Sequence, residues 1–246
     1  MTRKPKLAKH MFLRFSISVP EDRALFRYGQ SRDLVAKAAQ SIGDDKFVRY
    51  LLWVDESHTP RSGLAPFRYT TARRGRALDI IALGQPAIEQ LLAKGHLIST
   101  ALAKEFGISP CDGREIGICS VDLAQTPTRY RIPRMVIQKH QYEEKFSAAE
   151  REHKRGKPSA ILRDHVAQVI NRDLVRQAEL MAVDIPEEIQ IGNVELDDLK
   201  PVKVVPGRYN LSATVRFSMT HKLSGQWAVG HLASRGYGRI LTAYSR

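Results

Sequence analysis

Ten consecutive residues, Leu211 to Thr220, carry the strictest pattern in the chain. Leu211, Ala213, Val215, Phe217 and Met219 alternate with Ser212, Thr214, Arg216, Ser218 and Thr220. A period of two places the five apolar side chains on one face of a strand and the polar ones on the other, so this segment is expected to be half buried in a sheet. The same alternation returns at Leu13 to Val19, where Leu13, Phe15, Ile17 and Val19 interleave with Arg14, Ser16 and Ser18, and Pro20 ends the run. Strands at both ends of the chain then frame everything between them.

Between those strands the pattern changes several times. Ser31 reads as the N-cap of a helix with Leu34, Val35, Ala38, Ala39 and Ile42 on its apolar face and Gly43 as its stop. A second strand is expected at Phe47 to Val54, further strands at Pro66 to Arg73 and Ala77 to Leu83, and a long helix from Pro86 to about Phe106. Gly113 and the loop Gln125 to Thr128 mark the middle, and Tyr130 to Gln138 reads as extended. From Ser147 to Val183 the charged composition is helical, broken at Gly156-Lys157-Pro158. Its second helix carries a stripe of Leu162, Val166, Val169, Ile170, Leu174, Ala178 and Met181 opposite His165, Gln168, Arg172 and Arg176. A turn at Ser224-Gly225 leads to a glycine-rich segment, and Ile240 to Tyr244 reads as a last strand. Asp44-Asp45 and Asp197-Asp198 read as turns. The expected fold class is α+β, with two ferredoxin-like lobes over residues 1–115 and 116–246, a helical finger at about 145–183 inserted in the second, and a glycine-rich loop at 230–238.

Charge narrows the partner. The 39 Lys and Arg exceed the 26 Asp and Glu by 13, more than solubility requires, which points to a polyanion and to nucleic acid in particular. No run approaches the ~18 apolar residues of a spanning helix, so the expectation is a cytoplasmic protein without a membrane partner. Cys111 and Cys119 have neither zinc nor redox spacing, and the acidic residues are scattered. No metal and no cofactor are expected.

Three segments offer contacts to RNA. Gly230, Gly236 and Gly238 stand in a G-x5-G-x-G spacing with Ser234, Arg235 and Arg239 among them, which suits close backbone approach and phosphate charge. A hairpin turn beside a strand gives the same spacing. Arg151, Lys154, Arg155 and Lys157 lead into the helix of Arg172 and Arg176, although the glutamates interleaved with them also fit a solvated, salt-bridged helix. Arg68, Arg73, Arg74 and Arg76 alternate with Phe67 and Tyr69, a mixture that suits stacked bases or, equally, core packing.

The strand Leu211 to Thr220, the segment Gln226 to Ile240 and the ferredoxin-like opening together resemble the RAMP proteins of CRISPR systems, whose lobes are RRM-like. Within them the sequence is most similar to the crRNA-processing endoribonucleases, particularly the type IV form. The family loop is G-x-G-x5-G-x-G; Gly230, Gly236 and Gly238 match it, and Ala228 stands where the first glycine would be. The resemblance implies binding and cleavage of the repeat hairpin of precursor CRISPR RNA without a metal. The RNA's own 2′-hydroxyl would attack the adjacent phosphate to leave a cyclic phosphate, and the crRNA product could remain bound beside other RAMP subunits of an effector complex. A noncatalytic RAMP scaffold that caps the crRNA 5′ handle is the alternative. Family members often use a histidine near the first strand or helix, whereas this chain offers Arg23, Arg27, Tyr28 and Arg32 between them. Arginine holds phosphorane charge but does not transfer protons at neutral pH. The expected catalytic group is therefore Arg23, Arg27 and Arg32 with Tyr28 as proton donor, and His58 and His231 as alternatives.

Overall fold

The computed structural model describes residues 11–18, 29–72, 76–107, 112–138, 160–205 and 208–243. The chain divides into two compact units. One comprises Met1–Cys119, Glu179–Val183 and Ser234–Gly236; the other comprises Ser120–Ala178, Asp184–Ala233 and Tyr237–Arg246.

In the first unit the elements are β1 (Met11–Ser18), α1 (Ser31–Ala39), α2 (Asp45–Leu52), β2 (Phe67–Ala72), β3 (Ala77–Leu83), α3 (Gln85–Phe106) and β4 (Asp112–Ile118). The sheet order is β2-β3-β1-β4 with every pair antiparallel, which is the ferredoxin-like arrangement with α2 added. Alternation on β1 sends Leu13, Phe15 and Ile17 into a core with Val35, Phe47, Leu51, Ile88 and Leu91. Helix α3 begins with proline in its first turn after Gly84 and stops at Gly107, whose φ of 62° is a left-handed cap that glycine adopts without a Cβ penalty.

Residues 47–54 correct the sequence reading. All but Val54, which makes an isolated bridge to Pro60, lie in helix α2 or its Trp53 cap rather than in a strand, because the Asp44 carboxylate accepts the Phe47 N–H at 3.0 Å and thereby starts a helix. Phe47 and Leu51, one helical turn apart, are the two residues it buries. The β-branched and aromatic content that suggested a strand is used by packing at a period of four instead. Asp44-Asp45 are thus the cap and first residue of a helix, not a free turn.

The second unit repeats the strand order. Its elements are β5 (Ser120–Gln138), α4 (Ala160–Met181, of which Glu179 to Met181 fall in the first unit), β6 (Ile191–Val205), β7 (Arg208–Ser224) and β8 (Leu241–Thr242), and the 3-10 turn at Ala233–Arg235 has Ser234 and Arg235 in the first unit's share of the chain. The antiparallel sheet runs β6-β7-β5-β8. Tyr130 lies opposite Phe217 in register, and their rings stack with centroids 5.4 Å apart on the covered face. All seven apolar residues of the α4 stripe are buried. Strand β6 corrects the reading of Asp197-Asp198 as a turn: both lie within the strand, which also holds Gly192, Asn193 and Pro201. They are accommodated at or near register shifts, with Asn193 and Asp198 at φ of 50° and 51°. Gly113 likewise sits within β4, and Gln125 to Thr128 occupy an irregularity inside β5 rather than a separate loop. The terminal strand is only two residues long. Among the described residues no helix is long and apolar enough to cross a membrane.

Candidate nucleic-acid interface

Helix α4 buries two polar residues beside its apolar stripe, Asp173 and Gln177, four positions apart and therefore on one face. Both reach the chain that leads into the glycine-rich segment. The Gln177 amide donates to the carbonyl of Ala228 and to that of Asp173 (2.9 Å), and its oxygen accepts the Ala228 N–H at 3.1 Å. It pairs with the Ala228 peptide as a neighbouring strand would. Asp173 accepts the Gly230 N–H on one oxygen at 2.8 Å and the Arg172 guanidinium on the other, at 3.0 Å from Nε and 2.9 Å from Nη2. One carboxylate thus ties an arginine of α4 to the first glycine of the segment.

The segment itself closes as a short antiparallel pair. Val229 donates to Gly238, Ile240 donates to Trp227, and Ala228 bridges Arg239, so that the chain from Gly230 to Tyr237 forms the loop. His231 and Gly238 donate to the carbonyls of Val136 and Arg134 on β5, at 2.8 Å each. Gly230, Gly236 and Gly238 have φ of 86°, 89° and 74°, and Leu232 shares that left-handed region at 63°. A Cβ on Gly230 would lie 2.8 Å from the Val136 carbonyl oxygen, one on Gly236 would lie 2.7 Å from that of Tyr69, and one on Gly238 would overlap that of Val229. The glycines are demanded by the protein's own backbone. Ala228 has no positive φ, so the departure from the family loop carries no conformational penalty there.

The cations expected to meet RNA differ in exposure. Arg172 and Arg176 on α4, Arg239 in the segment, and Arg76 in the turn before β3 are exposed, while Ser234 is half buried. Arg235 is less available: its Nη1 contacts both oxygens of Asp33 at 2.7 and 2.6 Å, within the first unit. Arg32 is partly buried and donates from Nη2 to the Leu52 carbonyl at 2.6 Å. Burial is the main cause that lowers its pKa, with Arg235 acting in the same direction and Tyr69 and Asp33 against it. It stays charged, since arginine begins so far above neutrality. The expectation for Arg32 is accordingly narrowed, because one guanidinium nitrogen already caps the end of α2.

Phe67 and Tyr69 do not offer stacking faces. Both are buried in the core of the first unit, the Tyr69 hydroxyl donating to the Leu51 carbonyl at 2.5 Å, and Arg68 beside them is buried as well. Their alternation with arginines reflects the pleat of β2. His58 lies exposed at φ of 58° in the turn after α2. Arg23, Arg27, Tyr28, Arg73, Arg74, Arg151, Lys154, Arg155 and Lys157 lie outside the described residues. Among the described residues no three His, Cys, Asp or Glu side chains gather closely enough to hold a metal ion.

Sequence reasoning missed Asp173 and Gln177 as anchors. A signal was present: each directly precedes a stripe residue, Leu174 or Ala178, so each faces the covered side of α4, where a polar group needs a partner. It also missed Asp33, whose pairing with a residue about 200 positions away leaves no local trace.

A family model for the type IV CRISPR-associated endonuclease Csf5 matches residues 9–245. No curated protein matches the chain by sequence. Among solved structures, Csf5, a CRISPR-Cas type IV Cas6 crRNA endonuclease, superposes with a TM-score of 0.61 at 18% identity over 95% of this chain and 100% of its own. A crystal structure of Cas6b gives 0.62 at 13% identity, covering 95% and 99%. A CRISPR RNA processing endoribonuclease, also Cas6b, gives 0.58 at 13%, covering 95% and 100%. At such identities the structural likeness establishes the fold, two four-stranded ferredoxin-like sheets, and the family follows from the sequence match. Spanning nearly the whole length, that match shows that the chain belongs to the type IV CRISPR-associated endonuclease Csf5 family.

Proposed function

We propose that this protein binds the repeat hairpin of precursor CRISPR RNA and cleaves it without a metal ion. The observation that carries the reading is the pinning of α4, with Arg172 and Arg176 exposed, to the glycine-rich segment through Asp173 and Gln177. A preset pair of elements with outward arginines matches phosphates without first having to be ordered, which favours affinity for a structured polyanion. Arg239, Arg76, Ser234, Arg73, Arg74, Arg151, Lys154, Arg155 and Lys157 are assigned further contacts to the RNA.

In the reaction the 2′-hydroxyl oxygen attacks the adjacent phosphorus as its proton passes to a base. The bond from phosphorus to the 5′ oxygen breaks, and that oxygen takes up a proton. The products are a 2′,3′-cyclic phosphate and a 5′-hydroxyl, and no water is consumed. Arg23 and Arg27 are assigned to hold the scissile phosphate in line and to stabilise phosphorane charge, and Tyr28 to protonate the leaving oxygen. Arg32 supports them from its anchored position at the Leu52 carbonyl.

The test is incubation of purified protein with end-labelled repeat RNA in EDTA. The expected outcome is a single cut whose upstream product ends in a cyclic phosphate that acid opens. Arg23→Ala and Arg27→Ala are expected to slow cleavage about a hundredfold while affinity changes little. Tight binding with no cut over a range of repeats would instead identify a noncatalytic scaffold that caps the crRNA.

A further inference from the structure

A concavity of about 1450 Å³ opens within the second unit, lined by β5, β6, β7, β8 and the first turns of α4. It takes in Arg129 and Arg131 of β5, Arg216 of β7 and Arg163 of α4. The arginines are not equivalent. Arg216 is neutralised by Asp197 at 2.7 Å and Glu195 at 3.6 Å. Arg129, Arg131 and Arg163 have no carboxylate partner among the described residues, and Asp164 is the remaining acid on the lining. The central strand of the other sheet shows what a merely structural arginine does here: Arg14 on β1 is bound to Glu115 at 2.6 Å, with Asp79 at 3.8 Å. Three guanidinium groups around one hollow leave a charge that no acid among the described residues answers.

We propose that this hollow binds a single-stranded segment of RNA continuous with the hairpin, with Arg129, Arg131 and Arg163 meeting its phosphates and bases. The inference rests on the reading that the protein binds repeat RNA. Size and lining favour a strand over a small molecule, because the volume exceeds the ~300–1,000 Å³ of ordinary ligand pockets and four arginines stand among the apolar side chains of its walls. Shape favours a single strand over a duplex, since a duplex is met by elements that project into its grooves whereas splayed nucleotides enter a hollow. Arg129 and Arg131 are alternate residues on a regular stretch of β5, opposite Ser218 and Arg216, so their side chains repeat about every 7 Å along one face. Successive phosphates of an extended strand can be met at such an interval. The rings of Tyr130 and Phe217 are turned into the core, which leaves the guanidinium planes themselves to stack on bases. Asn193, Ser218 and Thr242 add amide and hydroxyl groups to the lining.

The experiment measures affinity by fluorescence anisotropy at several salt concentrations for three RNAs: the repeat hairpin alone, the hairpin with its natural single-stranded flank, and the same flank annealed to a complement. The wild-type protein is expected to bind the single-stranded form at least about fivefold more tightly than either other RNA. Arg129→Ala/Arg131→Ala, both exposed positions, is expected to abolish that advantage and leave hairpin affinity and the melting midpoint in place. The slope of log K against log salt for the flanked RNA is expected to become shallower by about 1.4, at ~0.7 for each of two single-strand phosphate contacts. A photoreactive uridine in the flank is expected to crosslink to the peptide that contains residues 129–131. Equal affinity for all three RNAs in the wild type, equal losses on all three in the variant, or an advantage kept by the annealed flank would each overturn the proposal. If the hairpin binds and the flank adds nothing, only this site falls; if the hairpin does not bind either, the RNA-binding reading falls and takes the site with it.

Discussion

The two sheets share one strand order yet reach their last strand by different means. In the first unit the chain passes from β3 to β4 through the 22-residue helix α3, whose interior peptide groups are satisfied by its own turns. In the second it passes from β7 to β8 through Gly225 to Ile240, which forms no α-helix. There the peptide groups are answered from outside: Ala228 by Gln177, Gly230 by Asp173, and His231 and Gly238 by carbonyls of β5. A self-sufficient helix can be substituted at most positions without consequence for its neighbours. A segment that borrows its partners holds one shape and transmits changes to whatever it borrows from, here the arginine-bearing α4. The ferredoxin-like frame therefore keeps its strand order while one connection is free to take a fixed, non-helical shape.

Exchange of glycine for alanine in the two connections gives the largest contrast. Gly238→Ala would place a Cβ against the Val229 carbonyl in a backbone that stands at φ of 74°. The expected loss is about 3 kcal/mol, or roughly 6–12 °C in melting midpoint. Gly95→Ala in α3 meets only Phe15 and Leu91 side chains at 3.4–3.6 Å, ordinary contact distances, and removes a helix-interior glycine. It is expected to stabilise by about 0.5–1 kcal/mol. Similar effects at both positions in thermal scans would break the distinction.

Gln177→Leu tests the borrowed partners directly. It removes the acceptor and the donor of a buried peptide, and leaves the Ala228 N–H and carbonyl to find others. About 2–3 kcal/mol of stability should go, since an orphaned buried group costs ~1–3 kcal/mol, and repeat-RNA affinity should fall with it. Asp173→Asn is milder, because an amide oxygen still accepts the Gly230 N–H while the charge that holds Arg172 is lost. A loss of about 1 kcal/mol is expected by chemical denaturation, and about twice that for Asp173→Ala, which removes the acceptor as well. Retention of full affinity and stability in Gln177→Leu would show that the segment keeps its shape without the helix.

Much of this arrangement was readable from residue order, and its limits have physical causes. The alternation on β1 and β7 and the stripe on α4 survive translation into structure because each is a local consequence of one covered face. Helix α2 was lost because one capping carboxylate outweighed a run of strand-forming residues, and β6 because its bulges admit residues that a regular strand excludes. The glycine spacing was visible. Its reason was not, since the carbonyls that exclude a Cβ come from Tyr69, Val136 and Val229, two of them far away in sequence. Lone cations are still harder to rank. Arg14, Arg216 and Arg235 look like Arg129 and Arg131 until their carboxylates are located.

The smallest predicted effect compares one buried tyrosine from each unit. Tyr69 donates to the Leu51 carbonyl, and Tyr130 donates to that of His221 while it accepts the Leu223 N–H. Burial raises both pKa values, and in Tyr130 the hydrogen bonds from Leu223 and Thr128 oppose the rise. A raised folded-state pKa means that the folded protein holds its proton where the unfolded chain has released it. The associated stability is therefore complete below the unfolded value of about 10 and declines as pH rises beyond it. Tyr69 lacks the opposing hydrogen bonds and is displaced further, so Tyr69→Phe should flatten the alkaline fall in stability more than Tyr130→Phe does. Denaturant midpoints for the two variants between pH 8 and 11, each compared with the wild type, would show it. The reverse order would mean that the N–H donated by Leu223 does not hold down the Tyr130 pKa, and that the two units protect their buried hydroxyls alike.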